Sequence, residues 1–174
     1  PSGEKITKIE VCGRPLRSWS LMRTSKSLHV CDFDVDLVYT WVDGDDESWK
    51  AERRKYHPDD HHDDATNDAR FVNRDELKYS LRSISYYANF FRHIFIVTNG
   101  QVPNWLDTNC ERISIVRHDE IFRDPENSLP TFNSHSIESN LHRIPRLSEH
   151  FVYWNDDVLF CRSVCKEALF QSRG

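Results

Sequence analysis

The sequence predicts an α/β domain built on a mainly parallel sheet. Three observations carry that prediction. Short β-branched and aromatic runs recur along the chain, amphipathic helical stretches separate them, and a polar turn follows the end of nearly every run. Strands alternating with helices favour parallel pairing, because each helix returns the chain to the edge from which the next strand departs.

Residues 1–33 show no sustained period and read as a lead-in segment with one short strand; the domain proper is taken as residues 34–174. VDLVYTWV (35–42) is a buried strand that enters a turn at Asp43-Gly44. Residues 45–68 are charged and aperiodic, include HPDDHHDD at 57–64, and read as a solvated loop. A helix is expected over 74–88. Asn73 would be its N-cap, Glu76 would complete a capping box, and Leu77, Leu81, Ile84 and Ala88 would form its apolar face. HIFIVT (93–98) is the next strand, Pro103 opens a short helix through Asp107, and ISIVR (113–117) is the third strand. A helix over 133–144 turns Ile137, Leu141 and Ile144 to one side, and FVYW (151–154) is the last strand.

Composition sets bounds on function. The 174 residues amount to about one domain. A hydrophobic content of 38% with 12% aromatics supports a packed core, despite a mean hydropathy of -0.69. A formal charge of -5 argues against nucleic acid, whose phosphates call for a basic face. No apolar run approaches the roughly 18 residues that suggest a membrane span, and residues 1–17 lack the apolar core of a signal peptide. The chain starts at Pro1 rather than Met, as expected of an excerpt from a longer polypeptide. Five cysteines at irregular spacing specify neither a disulfide framework nor a zinc site, and Cys161 and Cys165 read as packing residues.

In a parallel sheet, ligands bind beyond the carboxyl ends of the strands. Those ends carry Asp43-Gly44-Asp45-Asp46, Asn99-Gly100, His118-Asp119 and Asn155-Asp156-Asp157, and the helix starts at Asn73-Arg74 and Asn133-Ser134-His135 should share their edge. Two adjacent carboxylates at a strand tip suit Mg²⁺ or Mn²⁺, although Asn and Asp also simply end strands. Tyr39 and Trp41 either stack on a nucleobase or pack in the core. His135, Glu138 and His142 share a helix side that is either solvated or, at His135 in the first turn, part of a site. The His/Asp tract at 57–64 reads as a loop and not as a selective metal site.

DLVYTWVDGDD (36–46), FVNRDELKYSLRSI (71–84), HIFIVTNGQVPNWLD (93–107) and LPTFNSHSIESNLHRIPRLSEHFVYWNDDVLF (129–160) together resemble the Stealth proteins. This family includes bacterial capsular and exopolysaccharide phosphotransferases and the catalytic subunit of the eukaryotic N-acetylglucosamine-1-phosphotransferase. The resemblance implies a GT-A-like nucleotide-sugar fold. It also implies transfer of a hexose-1-phosphate from a UDP-sugar to an acceptor hydroxyl of a glycan or polysaccharide, with release of UMP. Tyr39, Thr40, Trp41, Asp43 and Gly44 would contribute to the nucleotide-sugar site, with Asn133 and Ser134 at a facing helix start. Asp156 and Asp157 would hold the metal. Arg74 and Arg143 would contact phosphate, and His135 would take the acceptor's proton. The family has two further conserved regions that lie beyond Gly174, so the fold is expected to be incomplete and the 174 residues alone to bind donor without turning it over. The compartment would be cytoplasmic and membrane-associated in a bacterium, or the Golgi lumen in a eukaryote. An ordinary GT-A glycosyltransferase releasing UDP, or a non-catalytic nucleotide-sugar-binding module, are the competing expectations.

Overall fold

The computed structural model describes residues 7–11, 14–18, 31–56 and 73–170. Its centre is a four-stranded sheet in which every pairing is parallel, in the order β5-β4-β3-β6. The strands are β3 (Val35–Thr40), β4 (Ile94–Thr98), β5 (Ile113–Arg117) and β6 (His150–Trp154). They preserve all four runs expected from the sequence. A separate antiparallel pair, β1 (Thr7–Val11) and β2 (Arg14–Ser18), occupies the lead-in segment where one strand was expected.

The central strand decides the layering. Successive side chains of a strand point to opposite faces. Val35, Leu37 and Tyr39 of β3 pack with Leu77 and Ile84 of α2 (Glu76–Tyr87), while Val38 packs on the other face with Ile121, Ile137 and Leu141. Both faces of β3 are therefore covered, as its nearly unbroken apolar sequence requires.

Asp36, also fully buried, is the exception in that strand. Arg92 donates from Nε (2.9 Å) and Nη2 (2.5 Å) to its two carboxylate oxygens, and the Ser148 amide donates to Oδ2 at 2.8 Å. Arg92 also donates to the Arg146 carbonyl. The cluster ties the entries of β3, β4 and β6 together at the edge opposite the cleft described below.

Several local expectations need correction. The charged segment after β3 contains a helix, α1 (Glu47–Tyr56), in place of a loop. Asp46 starts it by accepting from the amides of Ser48 (2.8 Å) and Trp49 (3.2 Å), and only Trp49 and Arg53 are buried. One aromatic is too little to produce a visible period. The HPDDHHDD tract lies outside the described residues. Asn73 is not the cap of α2. It accepts from the Asp75 amide at 3.0 Å one turn earlier, and Asp75, at φ 62°, takes the cap position. Residues 103–107 form a single turn, closed by Leu106 N–H to the Pro103 carbonyl.

The expected helix over 133–144 is divided. After α3 (His118–Ile121) and α4 (Pro125–Ser128), α5 covers only Ser134–Glu138, and a 3₁₀ turn follows at Leu141–Arg143. Ser139 Oγ and Asn140 Nδ2 both donate to the Ser136 carbonyl at 2.9 Å, competing with helix continuation. Ile137, Leu141 and Ile144 are nevertheless buried together, and Asn133 does cap α5. A last short helix, α6 (Lys166–Leu169), packs near Phe33, where Lys166 Nζ donates to the Phe33 carbonyl. Cys161 is free and exposed, whereas Cys165 is disulfide-bonded and not an ordinary packing residue. No helix among the described residues is long and apolar enough to cross a membrane.

Candidate functional site

The strand order reverses between β3 and β6: the chain moves outward from β3 to β4 to β5, then crosses back to the other side of β3. Such a switch point leaves a crevice beyond the carboxyl ends of the two strands. A cleft of about 570 Å³ lies there. Thr40, Trp41 and Val42 line it from the tip of β3, and Tyr153, Asn155, Asp156 and Asp157 from the tip of β6. Glu76 of α2 and Ser134, His135 and Glu138 of α5 complete the facing walls.

Tyr153 links three of these elements. Its hydroxyl bonds Thr40 Oγ1 at 3.0 Å and donates to Glu138 Oε1 at 3.3 Å, so α5 is joined to both strand tips. Burial of the Tyr153 ring raises the phenol above its ordinary value and keeps it protonated as a donor.

The acidic tip itself is anchored from α2. Ser80 and Ser83 are polar yet buried. Ser80 Oγ donates to the Val158 carbonyl at 2.6 Å and is in turn bonded by the Tyr39 hydroxyl at 2.8 Å. Ser83 Oγ accepts from the Phe160 amide at 3.0 Å, and Trp154 Nε1 donates to the same Val158 carbonyl at 2.9 Å. The turn carrying Asp156 and Asp157 is thus held by side chains that a simple apolar-face reading of α2 passes over. A second clamp holds the loop after β3. Gln101 accepts from the Asp43 amide (2.8 Å) and donates to the Asp43 carbonyl (3.1 Å) and to Asp46 Oδ2 (3.2 Å).

Four carboxylates line the cleft: Glu76, Glu138, Asp156 and Asp157; no Lys or Arg among the described residues does. Burial, then the neighbouring charges of Asp157 and Glu76, push Asp156 up to about 6. A bare diphosphate would be repelled here, whereas a divalent cation would be attracted. Among the described residues no group of three or more His, Cys, Asp or Glu closes into a metal cage. The donor set instead fits a hard cation that takes one or two carboxylates and shares a substrate's phosphates, which is how Mg²⁺ is usually held.

The structure brings together Thr40, Trp41, Ser134, His135, Asp156 and Asp157 from the sequence-predicted set. It places the others elsewhere. Tyr39 is fully buried, its hydroxyl on Ser80, so its ring is core and reaches no ligand. Asp43, with Gly44 beside it, does not line the cleft; Asp43 Oδ1 accepts from the Asp45 amide and from Asn73 Nδ2, which shapes the loop. Asn133 caps α5 and is not part of the wall, nor are Arg74 and Arg143. Glu76, Tyr153 and His118 were missed as site residues. Glu76 was visible only as a cap partner, and Tyr153 only as one aromatic of an apolar strand.

Comparison with known proteins agrees with this division. Conserved region 1 of Stealth proteins matches residues 33–60, and conserved region 2 matches residues 70–174. The chain belongs to the Stealth family. Region 1 supplies the β3 wall of the cleft with Trp49, and region 2 supplies α2, α5 and the acidic tip of β6. Among curated Stealth relatives, the exopolysaccharide phosphotransferase SCO2594 of Streptomyces coelicolor is 50% identical over 142 residues, covering 82% of this chain and 23% of that protein. The exopolysaccharide phosphotransferase SCO6021 of the same organism is 49% identical over 142 residues. The capsular polysaccharide phosphotransferase SacB of Neisseria meningitidis serogroup A is 48% identical over 143 residues, 26% of its length. The chain therefore spans about a quarter of the length of these relatives.

Proposed function

We propose that this Stealth chain contributes the donor and metal half of a phosphotransferase that moves a hexose-1-phosphate, such as N-acetylglucosamine-1-phosphate, from a UDP-sugar to a hydroxyl of a glycan or polysaccharide. The observation that carries the reading is the paired Asp156 and Asp157 at the tip of β6, facing Thr40 and Trp41 across the switch-point crevice. The names of the relatives support phosphotransfer in polysaccharide synthesis.

In this reading Asp156 and Asp157 hold Mg²⁺ or Mn²⁺, with Glu76 adding to the local negative field. When bound, the cation offsets charge on the diphosphate oxygens. The acceptor oxygen attacks the phosphorus that bears the sugar, the bond from that phosphorus to the bridging oxygen breaks, and UMP leaves with that oxygen. The acceptor's proton passes to a group at the cleft wall. His135 is exposed in the first turn of α5, and Glu138 is fixed by Tyr153.

The competing reading, a glycosyltransferase, would break the sugar–oxygen bond and release UDP. The test incubates the complete phosphotransferase with UDP-N-acetylglucosamine, a polysaccharide acceptor and Mg²⁺, and identifies the nucleotide. UMP formed only with acceptor and metal is the expected product. UDP would transfer the assignment to the glycosyltransferase, and metal-dependent binding without either nucleotide would make the domain a binding module.

A further inference from the structure

A second cavity, of about 260 Å³, lies at the tips of β4 and β5. It shares Trp49, Asn99, His118, Thr131 and Phe132 with the main cleft, so the two open into one another. The sequence expectation had placed base stacking on Tyr39 and Trp41, but Tyr39 is core. The side cavity offers a different aromatic wall. Trp49 and Phe132 meet edge to face with ring centroids 5.7 Å apart.

Its polar groups are of a particular kind. Asn99 ends β4 and presents an amide with both donor and acceptor capacity. His118 follows β5, and burial holds its imidazole down at about 4, so at neutral pH it has one donor and one acceptor nitrogen. Arg117 is occupied, donating to both carboxylate oxygens of Asp119 at 3.0 and 3.2 Å. Glu52 and Asp119 make the rim unfavourable for phosphate. The cavity therefore suits a flat, uncharged group with mixed donors and acceptors, joined to an anionic group that sits in the metal-binding cleft next door.

We propose that this side cavity is the nucleoside subsite, holding the nucleobase against Trp49 and Phe132 with Asn99 and His118 along its polar edge. The inference rests on the nucleotide-sugar reading of the main cleft, and it divides the donor between two connected spaces. It also assigns binding roles to residues outside the acidic tip.

The experiment titrates the 174-residue chain with uridine, with UDP plus Mg²⁺, and with pyrophosphate plus Mg²⁺, following indole N–H resonances by NMR. Asn99→Ala and His118→Gln are compared with wild type after thermal unfolding shows each is folded. Loss of a paired polar contact should weaken uridine and UDP binding about tenfold and leave pyrophosphate unchanged. The Trp49 indole should shift with uridine and not with pyrophosphate. Unchanged uridine and UDP affinity in both variants overturns the subsite while leaving the donor reading standing. Variants that retain UDP but lose affinity for a neutral oligosaccharide would make the cavity an acceptor site and equally overturn it. A wild-type chain that binds neither uridine nor UDP removes the donor reading together with the subsite.

Discussion

Ser80→Ala tests how the acidic tip is held. Ser80 is fully buried and joins two groups: it receives the Tyr39 hydroxyl at 2.8 Å and donates to the Val158 carbonyl at 2.6 Å. After substitution the Val158 carbonyl keeps its bond from Trp154 Nε1, but the Tyr39 hydroxyl is left without its partner in the core. A stranded buried donor costs about 1–3 kcal/mol, and the better helix propensity of Ala returns only about 0.5 kcal/mol. The expected net loss is about 2 kcal/mol, or a fall in Tm of roughly 4–8 °C for a domain of this size. Tyr39→Phe removes the stranded group, so the double variant should be less destabilised than the sum of the singles by about 1 kcal/mol. Urea unfolding of wild type, both singles and the double supplies the cycle. Singles that add to within about 0.5 kcal/mol, or a Ser80→Ala loss no larger than that of exposed Ser85→Ala, would refute the account.

Three further outcomes are expected. Asp156→Asn and Asp157→Asn in the complete phosphotransferase should each lower turnover by about a hundredfold or more while shifting Tm by only a few degrees, since they remove charge from a cleft and not from the core; near-normal turnover in both would remove the metal assignment. Asp36→Asn should cost about 3 kcal/mol, because it breaks a buried charge pair whose Arg92 end retains some access to water. Although burial alone would raise the Asp36 carboxyl, hydrogen bonds from Arg92 and Ser148 hold it below its ordinary value. Its contribution is therefore present above the unfolded carboxylate range near 4 and is lost as the pH falls through the folded value, so urea midpoints of wild type and Asp36→Asn should converge below about pH 4. Gln101→Ala should loosen the loop from Asp43 to Asp46, read as faster amide exchange there with little change at β6; uniform exchange across both loops would show that the clamp does not act locally.

The sequence by itself determined the strands and their parallel pairing. A run such as VDLVYTWV is apolar on both sides and has one stable use, as an inner strand covered twice. It also determined that acids collect at strand tips, because alternation places those tips on one edge. Short or composite features were not legible. Helix α1 rests on a single buried Trp49 and an Asp46 cap, and the break after Glu138 depends on Ser139 and Asn140 turning back to the Ser136 carbonyl. Only the tertiary structure could separate Tyr39 from Trp41. They are two residues apart and share a strand face, yet one is closed over by Ser80 of α2 while the other emerges where β3 ends. It alone showed that Ser80 and Ser83, silent as polar letters in a helix, hold the turn bearing Asp156 and Asp157. It also showed that Glu76, Glu138 and Tyr153, far apart along the chain, converge there. Local periodicity records which face of an element is buried; which residues from distant elements meet at one point depends on strand order and crossover, and no local pattern encodes either.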